Sequence, residues 1–159
     1  RSESTVKTVS KNATTGAITE VTTLGDAPVS PADADVTLTN ATHSGRILLV
    51  PDGSQDNDYT LPAPIAGSVF RFVYAGGAAD ATDAFILTPG NTNFFIGGVT
   101  FHDQDGNAIS SVFSDGNSNS SIQVNVPQAF DITIVGKDTT NYQIFGSVTS
   151  TTAPAFADQ

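Results

Sequence analysis

The sequence predicts an all-β fold, a jelly-roll-like antiparallel β-sandwich with an extended N-terminal arm. Three observations lead there. From Asp35 onward, short runs rich in β-branched and aromatic residues recur about every ten residues, separated by Gly, Pro, Asn and Asp clusters. In Ser121–Val126 the apolar Ile122, Val124 and Val126 alternate with Gln123 and Asn125, the period of a strand with one buried face. No window carries a convincing 3.6-residue apolar period.

Residues 1–34 read as the arm and a hinge. Val6, Val9, Ile18, Val21 and Leu24 are scattered among Thr, Ser and Ala, too little apolar surface to fold alone. Such a segment orders against something else. Val6–Val9 and Ala17–Thr22 are β-branched enough for extended chain. Pro28 and Pro31 make Asp26–Asp33 the hinge.

Residues 35–159 read as the body. Its expected strands begin with Val36–Thr39 and Arg46–Val50, the latter between Ser44-Gly45 and Pro51-Asp52-Gly53. Asp58–Leu61 ends at Pro62, because proline has no N–H for a ladder. Ser68–Tyr74 is apolar on both faces. Pro89-Gly90 splits Ala84–Leu87 from Asn93–Phe101. Ala108–Phe113, Ser121–Val126, Phe130–Val135 and Tyr142–Val148 complete the set. Ser114–Ser121 is a polar loop and Gly136–Asn141 a hairpin connection.

Charge excludes several partners. Six Lys and Arg stand against sixteen Asp and Glu, a net charge of −10. Nucleic acid needs clustered Lys and Arg, so it is not an expected partner, and an anionic membrane is disfavoured too. The acids lie in the body: residues 1–20 carry a net +1 and residues 21–159 a net −11. Charged residues are only 14%, which leaves a Ser-, Thr- and Asn-rich surface suited to close packing against neighbours. With no cysteine, stability rests on burial, sheet hydrogen bonds or oligomerisation. No apolar run is long enough to span a membrane.

Catalytic chemistry finds little to work with. His43 and His102 are the only histidines, and no nucleophile motif accompanies either. The acids fall in turn clusters, and both Glu lie in the arm, which does not suit the paired carboxylates of a glycosidase. Asp103 and Asp105, in Asp103-Gln104-Asp105-Gly106-Asn107, start as a Ca²⁺ loop does. The same residues satisfy a hairpin turn, and the later ligands of a Ca²⁺ loop are missing. Asp52, Asp56 and Asp58 make a similar cluster. The expectation is a non-enzymatic chain without a cofactor. Its candidate contact residues are Val6, Val9, Ile18 and Val21 in the arm, with Phe94 and Phe95 beside Gly97-Gly98.

Leu38-Thr39, Ser44-Gly45-Arg46, Thr60-Leu61-Pro62-Ala63-Pro64, Ala66-Gly67 and Phe70-Arg71-Phe72-Val73 together resemble a module of tailed-bacteriophage structural proteins. Phe130–Gly136 and Asn141–Gly146 resemble its closing hairpin, with Tyr142 where many relatives carry a Trp. The resemblance implies a virion component, usually a homotrimer. A body with an arm and no repeated stem is most like a capsid decoration, or cement, protein. That implies the outer capsid surface as location, with the major capsid protein and further copies of the chain as partners. The alternative it implies is a tail-fibre or spike domain that binds a host receptor or glycan.

Overall fold

The alternating runs do become strands, joined by turns at the Gly, Pro and Asp clusters. The computed structural model describes residues 6–11, 18–23, 27–77 and 82–159. In order, its elements are β1 (Val6–Lys11), β2 (Ile18–Thr23), β3 (Val36–Thr37), α1 (Asn40–His43), β4 (Ile47–Val50), β5 (Asn57–Thr60), β6 (Val69–Tyr74) and β7 (Ala84–Leu87). Then come β8 (Phe94–Asp103), β9 (Ile109–Phe113), β10 (Ser121–Val124), β11 (Pro127–Gly136), β12 (Asn141–Ser150) and β13 (Ala155–Ala157). Among the described residues the fold is all-β apart from one helical turn.

The two β-branched segments of the expected arm pair with each other. β1 and β2 run antiparallel in a two-stranded sheet of their own, with Val9 opposite Glu20 and Val21 opposite Thr8. The expected hinge is partly tied to the body. Val29 bridges β4, donating to the Ile47 carbonyl and accepting from the Leu49 N–H. The Asp33 carboxylate accepts the Ser54 N–H and the Asn57 amide.

The body has two sheets over one core. One runs β13-β10-β7-β5-β3 and the other β4-β6-β11-β12-β8-β9. Tyr59, Ile86, Ile122 and Val124 from the first meet Leu48, Phe70, Phe72, Ile132, Ile134 and Ile144 from the second. Each such side chain contributes about 1.5–3 kcal/mol by leaving water. Tyr59 and Phe72 pack across the gap with ring centroids 6.2 Å apart, as do Phe95 and Phe156 at 6.4 Å.

The sheets are mixed, which corrects the expectation of antiparallel pairing throughout. β3–β5, β5–β7, β4–β6 and β8–β12 are parallel. The cause is the route of the chain. From β3 to β8 successive strands alternate between the two sheets, so β3 and β5, β5 and β7, and β4 and β6 become neighbours pointing the same way, while β8 meets β12 only after the chain has crossed to β10 in the other sheet and back. Parallel neighbours require such a crossover, and here a strand of the opposite sheet supplies it.

Local chemistry explains the remaining departures. The expected strand Val36–Thr39 stops at Thr37, because Thr39 caps α1: its hydroxyl accepts the Thr42 N–H. β11 starts at Pro127, earlier than expected, and its register slips between Pro127 and Ala129. Proline is tolerated at a strand start beside such an irregularity. Gly67 turns the Pro-rich corner at φ +85°, a conformation open to glycine.

Candidate functional site

The residues singled out by sequence land in different places. Asp103 accepts the N–H groups of Asp105 and Gly106 through one carboxylate oxygen, and so builds the β8–β9 turn. Among the described residues no three His, Cys, Asp or Glu side chains converge as metal ligands. His43 uses Nδ1 to accept the Thr39 N–H, which ties it to the one-turn helix. His102 lies on β8 opposite Ile109. Val6, Val9, Ile18 and Val21 lie on β1 and β2, and their side chains fall outside the described residues. Phe94 and Phe95 do not form a shared surface patch. Adjacent strand residues face opposite ways, so Phe94 is half-buried while Phe95 is wholly buried between Tyr142 and Phe156.

The structure instead assembles a surface on the outer face of the six-stranded sheet. Alternation buries Phe70 and Phe72, Ile132 and Ile134, and Tyr142 and Ile144. It therefore turns Arg71, Asp131, Thr133 and Phe145 outward. With Gly146 and Ser147 these line an open groove of about 320 Å³. Arg71 clamps Asp131 through two parallel bonds, Nε to Oδ1 at 2.8 Å and Nη2 to Oδ2. Phe145 is 49% exposed beside the clamp. Toward β9, Phe113 rests against Gly98, where a Cβ would meet its ring at 2.7 Å. Phe113 and Ile109 are each 70% exposed.

This face carries little charge. The six strands hold Arg71, Asp131 and, at the end of β8, Asp103. The loop acids are occupied in holding turns. The Asp35 carboxylate accepts the Asp58 N–H, that of Asp56 accepts the Asp83 N–H, and that of Asp83 accepts the Val126 N–H.

Electrostatics give a pH test. The Arg71 guanidinium holds the Asp131 carboxyl below the ordinary 3.8, although partial burial opposes it. The Asn57 amide and Ser54 N–H lower Asp33, the Asn141 side chain lowers Asp138, and the Ser118 hydroxyl and nearby N–H groups lower Asp115. A carboxylate lowered by folding contributes stability that is complete above its unfolded pKa and lost as pH falls through its folded value. Asp58 acts oppositely, raised by burial and then by Asp35 and Asp56. The lowered set is the larger, so the thermal midpoint should drop as pH falls below 3.8. Asp131→Asn should make that drop shallower in melts followed by circular dichroism. An unchanged acid limb would show that the Arg71 clamp contributes nothing.

The partly open cavity near Asn57, Tyr59, Thr82 and Asp83 is about 10 Å³, room for about one water molecule and too small for a substrate. The outer-face site was partly legible in sequence. Arg71 and Asp131 are lone charges within apolar strands, and Phe145 falls out of phase with Tyr142 and Ile144. Their meeting depends on β6 pairing with β11, which no local pattern gives. Comparison of the chain with family models, curated proteins and solved structures gives no match.

Proposed function

We propose that the chain is a non-enzymatic structural protein of a tailed-phage virion, a cement protein on the outer capsid surface. In this reading it binds the major capsid protein as a homotrimer and stabilises the shell. The observation that carries a docking role is the outer face of the six-stranded sheet, which exposes Phe145, Phe113 and Ile109 and holds few charges in a chain of net charge −10. The virion setting rests on the resemblance of the Leu38–Val73 motifs and the closing hairpin. Two sheets over one core support a jelly-roll-like architecture, although the parallel pairs depart from the usual form. A ligand of the assembled shell stabilises it by mass action, and contact across capsid subunits supplies that binding energy.

The test uses the full chain and undecorated shells of the phage that encodes it. The chain should co-sediment with the shells and raise their rupture temperature. Removing residues 1–24 should weaken attachment. Phe145→Asp should weaken it about tenfold or more, since it puts a charge into an apolar contact. Shells that neither bind the chain nor gain heat resistance would sink the cement reading.

One observation favours the alternative of a tail-fibre or spike domain. Phe145 beside the Arg71–Asp131 clamp, Thr133 and Ser147 offers an aromatic surface with polar groups around it, the chemistry that suits a sugar ring. Glycan binding by the full chain that Phe145→Ala abolishes, with no shell binding, would select that reading.

A further inference from the structure

The six-stranded sheet ends on β9, whose outer edge is paired with no strand among the described residues. Three of the four body edges are short or covered. β3 has two residues, β13 has three, and β4 receives the Val29 bridge. β9 has five residues, Ile109-Ser110-Ser111-Val112-Phe113, with no charge and no proline. Natural sheets guard such edges with Lys, Pro, bulges or a covering segment, because an open edge templates pairing with another chain.

The register with β8 identifies the free groups. The Asp103 N–H donates to the Ala108 carbonyl and the Ser114 N–H to the Gly97 carbonyl. Hydrogen-bonded pairs alternate along an antiparallel ladder, so Phe101–Ser110 and Val99–Val112 are the bonded pairs. The N–H and C=O groups of Ile109, Ser111 and Phe113 therefore point off the edge. The side chains of these same residues face outward, on the side of Gly98 and Phe145.

We propose that β9 pairs antiparallel with β9 of a second copy, about a two-fold axis at Ser111. In that register Ser111 meets its own counterpart, Ile109 meets the partner's Phe113, and Phe113 meets the partner's Ile109. Every free N–H of one edge faces a free C=O of the other. Both Ile–Phe pairs are the aromatic-to-β-branched kind that stabilises neighbouring strands. A slip of two residues keeps the bonding pattern but leaves both Phe113 or both Ile109 side chains uncovered and pairs the others with Ser111. With no charge on β9, the edge also lets two acidic chains approach with little repulsion. The contact is smaller than the roughly 800 Å² per partner of a standard interface, so its affinity is modest.

This inference does not depend on the virion reading. A two-fold contact cannot close a three-fold ring. In a trimeric protein it would join trimers in pairs.

Sedimentation equilibrium of the full chain tests it. Dimers are expected, or hexamers if a three-fold contact also forms. A monomer or a lone trimer at the highest attainable concentration overturns the pairing. Ser111→Lys sets two ammonium groups opposite each other and should halve the assembly. Ser111→Pro removes the outward N–H without breaking a bond to β8 and should do the same. The chain has no cysteine, so Ser111→Cys provides a single thiol. On mild oxidation it should give a linked dimer, whereas Ser110→Cys, which faces the partner's Val112, should not. Assembly by Ser111→Lys at the wild-type size, or equal cross-linking of both cysteine variants, overturns the proposal. If a Lys or Pro variant unfolds, the cysteine pair decides.

Discussion

Tyr142→Ala should lower the stability of the chain by about 3–5 kcal/mol. Tyr142 is wholly buried at the middle of the core. Its ring lies 6.3 Å from that of Phe70 and 6.4 Å from that of Phe95, so one side chain joins β6, β8 and β12. Its hydroxyl donates to the Pro62 carbonyl at 2.8 Å, which pins the Pro-rich corner to the sheet. Burial pushes the phenol pKa up to about 12, so this donor keeps its proton across the working pH range. Truncation leaves a cavity in a strand held on both sides by β11 and β8, which restricts collapse. It also strands the Pro62 carbonyl. Tyr142→Phe separates the two effects: it keeps the ring and should cost about 1 kcal/mol. Urea denaturation of both variants checks this. Equal losses would mean that the ring's packing counts for little.

Gly146→Ala should cost about 3 kcal/mol or more, through strain and overpacking together. Gly146 sits mid-strand in β12 at φ +151°, where a side chain is strained. A Cβ there would collide with the Asp131 carbonyl and come within 2.8 Å of the Ile132 Cα. Those atoms are backbone of β11, which is bonded to β6 on its far side and cannot yield. The carbonyl belongs to the residue that Arg71 clamps, so the substitution should also disturb the outer groove. A Gly146→Ala protein that unfolds at the wild-type urea concentration would refute this account.

Much of the fold could be read from local pattern. Ala84–Leu87 is a strand with the expected bounds, and Asp103-Gln104-Asp105-Gly106 is the expected turn. Period and turn chemistry act over a few residues, so they are visible in a few residues. Strand polarity is not, because it follows from which sheet each strand joins. α1 was hidden because a single turn gives no period, although Thr39 signals its cap. β13 was hidden because Ala155-Phe156-Ala157 forms a strand only by pairing with β10. At the site, the sequence pointed to Phe94 and Phe95 as a pair, and strand alternation sends Phe95 into the core. Among the described residues the large exposed apolar side chains are instead Ile109 and Phe113 on β9, Phe145 on β12 and Ile65 in the Pro-rich corner. Their exposure reflects what the sheet leaves uncovered, a property of the edge rather than of the residue.

The alternation of strands between sheets governs when the chain can fold. The middle of the six-stranded sheet is β11 and β12, which β6 and β8 flank. Both middle strands come late, in residues 127–150. A chain emerging from the ribosome therefore exposes the inner edges of β6 and β8 before β11 and β12, which cover them, exist. Neither sheet is a unit that can form first and wait. Pairing between such distant segments is slow, because loop closure precedes the contacts that reward it. The nascent protein spends its growth with one side of β6 and of β8 unpaired, and its closing hairpin fills the gap between them.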